Sequence, residues 1–124
     1  RRKLDVNGTA KMTAIKVNQA VVDLGLMVID ALTLDQNSET YRHYNVSTNG
    51  NDVTSLSLSN FPSGAQAVVV IYCTSSAATV NGTTSGLSGA KVCHADISLA
   101  VGETAVMTIT NDGTSNFASA CKYS

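Results

Sequence analysis

Leu56 and Leu58 alternate with Ser55, Ser57 and Ser59 in residues 52–60, DVTSLSLSN. A turn follows, Phe61-Pro62-Ser63-Gly64, and then the most apolar run of the second half, AVVVIYC at 67–73. Alternation predicts a half-buried strand, and an unbroken apolar run of this length predicts a strand covered on both faces. The pattern recurs along the chain. Residues 40–47, TYRHYNVS, read as a strand between the polar turns 36–39 and 49–52. Ala105, Met107 and Ile109 share one face of a strand at 104–110, entered through Val101-Gly102-Glu103 and left through Asn111-Asp112-Gly113. Residues 90–100 read as one strand with Ile97 and Leu99 inward, 78–80 as a short strand before Asn81-Gly82, and 117–123 as a terminal strand or docking tail.

The first third is less uniform. Residues 4–10, LDVNGTA, turn at Asn7-Gly8, a dipeptide that tolerates positive φ, and 11–17, KMTAIKV, continue as a short strand. Val21, Leu24, Val28 and Leu32 fit a helical stripe, whereas Leu32 and Leu34 flanking Thr33 fit a strand. Gly25 disfavours a helix interior by ~1 kcal/mol relative to Ala, and the abundance of Val, Ile and Thr favours strands. The reading is two strands, 20–24 and 27–34. The expected fold is therefore all-β: a β-sandwich or jelly-roll-like domain of about eight or more short antiparallel strands. Residues 1–17 form an N-terminal tether or neck, and 18–124 the single β-sandwich domain. No repeat of a complete supersecondary unit is visible.

Composition narrows the function classes. Charged residues are 14% of the chain, against about 25% in ordinary globular domains, and Ser, Thr and Asn fill the difference. Net charge is −1, so no nucleic-acid partner and no attraction to anionic membranes is expected. The longest apolar stretch, 20–34, is interrupted by Asp23 and Asp30 and is shorter than the roughly 20 residues a bilayer requires, so no membrane span is expected. Arg1-Arg2-Lys3 reads as a solvated basic end, with a tethering segment before it. Cys73, Cys93 and Cys121 are an odd set. Cys73 and Cys93 read as small core residues and Cys121 as exposed, with all three reduced; the alternative is a Cys73–Cys93 bridge between neighbouring strands.

Residues 3–10, KLDVNGTA, resemble a segment that recurs in bacteriophage tail-fibre and tail-spike proteins, where it ends a shaft unit and leads into a distal domain. LSLSNFPSGAQAVVVI at 56–71 is similar to the strand–turn–strand core of small β-domains in such virion fibres, and SLAVGETAVMTITNDG at 98–113 to their closing hairpin. The resemblance implies a structural virion protein displayed on the particle surface, a fibre or spike module that attaches to a host surface by binding. It also implies a homotrimer, contacts to other virion proteins through the N-terminal segment, and a host-surface polysaccharide or protein as partner. Two other functions share the pattern: a capsid decoration or minor capsid protein cementing the shell, and a secreted carbohydrate-binding or adhesin module.

No catalytic residue is nominated. There is no Gly-x-Ser-x-Gly elbow, no phosphate-binding Gly-rich loop and no metal-ligand spacing, so no enzyme, cofactor or metal is expected. Strand alternation sends His94 and Asp96 to the face opposite Cys93 and prevents the three from converging on a metal; the first two read as exposed. The candidate receptor-binding residues are Tyr41, Arg42, His43 and Tyr44 on one strand, together with Asn81, Thr83 and Thr84 in the small-residue loop 74–89. Aromatic faces stack on sugars, Arg offers a planar fork of donors, and loops on a rigid scaffold carry variable contacts. The other reading of the strand has Tyr44 and Val46 in the core, with Tyr41 and His43 at the rim.

Overall fold

The structure, a computed structural model, describes residues 21–84 and 86–124. The expected neck, the 3–10 segment and the 11–17 strand lie outside these residues. Ten strands follow in order: β1 (Val22–Leu26), β2 (Leu32–Asp35), β3 (Tyr41–Ser47), β4 (Leu56–Ser59), β5 (Gln66–Tyr72), β6 (Ala78–Val80), β7 (Lys91–Val92), β8 (Ile97–Leu99), β9 (Thr104–Asn111) and β10 (Asn116–Tyr123). The described residues contain no helix long and apolar enough to cross a membrane.

The fold is all-β, but it is neither a sandwich nor a jelly roll. Pairing is parallel between β1 and β3, β3 and β5, and β2 and β4. Val22 faces Tyr44, Leu32 faces Leu56 and Tyr41 faces Gln66, and these partners lie 22, 24 and 25 positions apart. The chain winds in stacked coils, a β-solenoid-like arrangement. One coil holds β1 and β2, the next β3 and β4, and the third β5 and β6. β6 follows the stack through a parallel bridge from Val80 to Val53. The expected antiparallel pairing holds only at the far end. There β9 runs antiparallel to β5, β10 antiparallel to β9, and β8 antiparallel to β6. A parallel β7 completes a six-stranded sheet of order β1-β3-β5-β9-β10-β7.

The physical reason for the correction is that alternation reports which side chains face inward, not the direction of the neighbouring strand. The 61–64 turn between β4 and β5 is a corner of a coil, and the two strands it joins pair with other strands. The repeat that the sequence hides is also plain in the register: LTLD at 32–35 lies over LSLS at 56–59. The strands read at 20–24 and 27–34 become β1 and β2, two and five residues later at their starts. The strand read at 90–100 is broken between β7 and β8.

Corners are made by residues that accept left-handed backbone. Asn37 and Ser38 have φ of 53° and 60°, and the Asp35 carboxylate accepts the Asn37 amide at 2.8 Å and the Asn60 side-chain amide at 3.0 Å. At the opposite corner Asn49 has φ 50°, and the Asn51 side chain donates to Met27 O at 3.0 Å, tying successive coils together. Gly89 is required by close approach as well as by its φ of 94°, because a Cβ there would collide with the backbone oxygen of Leu56.

The core is the lumen of the coils. Leu32, Leu34, Leu56, Val69, Ile71, Met107 and Ile109 are all buried in one cluster. As the alternation requires, Ala105, Met107 and Ile109 all face inward. Two polar residues, Gln36 and Thr48, are buried among the described residues, and Gln36 anchors a hydrogen-bonded set. Gln36 Nε2 donates to Gln66 O at 2.8 Å, while the Tyr44 hydroxyl lies 2.8 Å from both Gln36 Oε1 and Asp35 O and shares its proton between them. This satisfied set crosses all three coils. Cys73 is buried beside the carbonyls of Ser76 and Leu99, whereas Cys93 is exposed, contrary to its reading as core. It follows the short β7, where the amide of Cys93 bonds Ala118 O and the side chain leaves the lumen. Cys121 is exposed.

Candidate functional site

The four candidates on β3 do not share a face. Tyr41 and His43 point outward from the six-stranded sheet, while Arg42 and Tyr44 alternate inward. Tyr44 has 0% exposure and belongs to the core. Burial holds its hydroxyl above the ordinary tyrosine range, with the Arg42 charge pulling the other way. Arg42 is half-buried at the corner, where it donates to Asp35 O at 2.9 Å and sits 3.4 Å from the Glu39 carboxylate.

The loop candidates belong to a different part of the structure, after β6. Asn81 is half-buried and its amide donates to Val53 O at 3.0 Å; Thr83 and Thr84 are exposed. Asp96 shapes this loop by accepting the Gly82 amide at 2.6 Å and the Thr84 amide at 3.4 Å. The Gly82 bond, more than any other group, holds its carboxyl below the usual range. His94 lies against Gly82, with Nδ1 2.7 Å from Ala95 O and a buried Nε2 that meets no partner among the described residues. His94 and Asp96 are thus half-buried loop supports, not the exposed residues the alternation indicated. Among the described residues no three potential ligands cluster to hold a metal.

Register assembles a surface that no single segment announces. The outer row through Tyr41 continues across Gln66, Thr110, Phe117 and Lys91. The next row holds His43, Val68, Thr108 and Ser119, and the third Asp23, Asn45, Val70, Val106 and Cys121. The fourth carries Ser47, Tyr72, Thr104 and Tyr123. Tyr41, Tyr72, Phe117 and Tyr123 are 39%, 42%, 43% and 59% exposed. The fixed charges in these rows, Asp23 and Lys91, stand on the two edge strands. A groove of about 340 Å³ opens beside Phe117, between Lys91 and Thr108. Of this face the sequence reading named Tyr41 and His43 and did not name Tyr72, Phe117 and Tyr123. The available signal was the alternation of β9 and β10, read for its inward residues only. Compared with protein families, curated proteins and solved structures, the chain matches none.

Proposed function

We propose that this chain is a structural, non-catalytic module of a virus particle, the terminal unit of a fibre or spike that attaches to a host surface by binding. The observation that carries the reading is the asymmetry of the solenoid. One end of the stack is closed by the antiparallel β9–β10 pair lying along β5. Beyond that pair the sheet ends in the two-residue β7, whereas at the other end, among the described residues, the longer β1 and β2 each have a partner on one side only. A stack with only a short edge strand at one end and a longer open edge at the other suits the tip of an elongated appendage, because a short edge resists further strand addition. Exposed Thr83 and Thr84, on a loop fixed by Asp96, are the best-placed host contacts of the original set. The sequence resemblance adds the homotrimer, whose avidity would let weak contacts sum.

Antibody raised against the purified chain tests this on intact particles by electron microscopy. Labelling at the distal end of fibres, together with competition of the purified chain against particle adsorption to host cells, is the expected result. Labelling spread over the shell would assign the chain to capsid decoration, and no labelling would remove it from the particle.

A further inference from the structure

We propose that the outer face of the six-stranded sheet is a self-association surface, buried in the working assembly against other copies of this chain. The inference rests on the virion-module reading for the assembly it serves, and it names the partner of the candidate surface.

The face has the composition of an interface core rather than of a solvated sheet. Four exposed aromatic rings surround the half-buried Val68, Val70 and Val106, with hydroxyls and amides between them. Interface cores are enriched in aromatics and depleted in charge, and monomeric proteins rarely leave so continuous an apolar patch in water. The opposite flank of the coils gives the contrast. Outward positions of β2 and β4 are Thr33, Asp35, Ser57 and Ser59, an ordinary polar surface.

Size and charge indicate a second copy as the occupant. β3, β5, β9 and β10 are seven or eight residues long. At ~3.3 Å per residue and ~4.8 Å between strands, with the shorter β1 and β7 at the margins, the face projects roughly 600 Å². Side-chain relief raises its accessible area toward the ~800 Å² that each partner contributes to a standard interface. Lys91 stands on the β7 margin and Asp23 on the β1 margin, and among the described residues no fixed charge lies between them. Copies of this face can therefore gather about a shared symmetry axis without burying like charges. The groove beside Phe117 supplies a recess for an aromatic ring of the neighbouring copy.

The test is sedimentation of the full chain over about 1 to 100 μM, a range in which an interface of standard size gives measurable association. The expected species is a multiple of 12.9 kDa. Thr108 and Ser119 are paired, exposed and central to the face. Thr108→Glu with Ser119→Glu should keep the circular dichroism and weaken assembly on the order of 100-fold or more, because the carboxylates would be desolvated without partners. Val101→Lys, on the exposed turn before β9, and Val28→Lys, near the open end, should leave assembly unchanged. Alkylation followed by peptide mapping gives a second readout: Cys121 should react slowly in the assembled chain and rapidly in the double variant. A monomer throughout this range overturns the proposal. So does assembly that survives both glutamates, or that is lost in Val28→Lys alone. Failure of fibre labelling or cell competition, by contrast, would bear on attachment and leave these measurements standing.

Discussion

Replacing Tyr44 with Phe isolates the polar lock between the coils. The ring remains, so packing is kept, and only the hydroxyl is removed. Asp35 O retains the Arg42 guanidinium at 2.9 Å, whereas Gln36 Oε1, in a residue with 0% exposure, loses its donor. One buried acceptor left unpaired costs about 1–3 kcal/mol, and the lower half of that range applies because a single group is orphaned. For a domain of this size ~1–2 kcal/mol lowers Tm by about 4–8 °C. Urea unfolding followed by circular dichroism should show a lower midpoint at unchanged m, the mark of altered stability without altered compactness. Tyr72→Phe, on the exposed face, should stay within about 0.5 kcal/mol of wild type. Equal stability of Tyr44→Phe and wild type would refute the lock, and with it the claim that Tyr44 serves the core rather than recognition.

Gly89→Ala should destabilise far more than Gly102→Ala. Both have left-handed φ, but a Cβ at Gly89 meets the Leu56 backbone oxygen and one at Gly102 meets open space; thermal melts should separate the ~1 kcal/mol of strain at Gly102 from a loss of ~3 kcal/mol or more at Gly89. Alkaline unfolding should begin near pH 10. The native Tyr44 keeps its proton where an unfolded tyrosine loses it, so stability is whole below that pH and falls as pH rises through and above it; Tyr44→Phe should flatten this limb of a stability–pH curve. Acid acts in the opposite sense. Asp35, Asp96, Glu103 and Asp112 are all held below their ordinary values, chiefly by hydrogen bonds from Asn60, Gly82, Ala100 and Ser115 respectively. Their contribution is present above about pH 4 and is lost as pH falls through the folded values; Asp112→Asn should reduce the acid limb, read by fluorescence or circular dichroism. Deleting residues 104–124 removes the cap from β5, whose sequence QAVVVIY has no charge and no proline. The truncated chain should aggregate with thioflavin binding, and a soluble monomer would contradict the capping role of β9 and β10.

Strand positions and inward faces were legible because each depends on a few neighbouring residues. The alternation at 104–110 placed Ala105, Met107 and Ile109 in the core, and Tyr41–Ser47 differs from the sequence reading by one residue at its start. Strand direction was not legible. The solenoid register joins Leu32 to Leu56 and Tyr41 to Gln66, and the residues that mark it, LTLD and LSLS, share only apolar–polar spacing. Asn-rich corners such as 36–38 and 49–51 use the same left-handed residues as hairpin turns, so turn chemistry could not separate the two topologies. Cys93 was misplaced for a related reason: parity with Ile97 and Leu99 carries inward only if the strand is continuous, and it breaks between β7 and β8.

The candidate surface was illegible for a deeper reason. Tyr41 and Phe117 belong to one row, yet 76 residues separate them, and the row exists only because β5 and β9 lie between their strands. Composition reported a chain poor in charge but averaged over an uneven distribution. Asp35, Glu39, Arg42, Glu103 and Lys122 gather at corners, turns and strand ends, where they pair with one another or with backbone. Between β1 and β7 the described residues of the outer face carry none. The exposed flank of β2 and β4 presents Thr, Ser and Asp and no aromatic ring. The aromatic enrichment is therefore local to one side of the coils, and aromatic enrichment with few charges is the composition of an interface core, which the proposed self-association would bury.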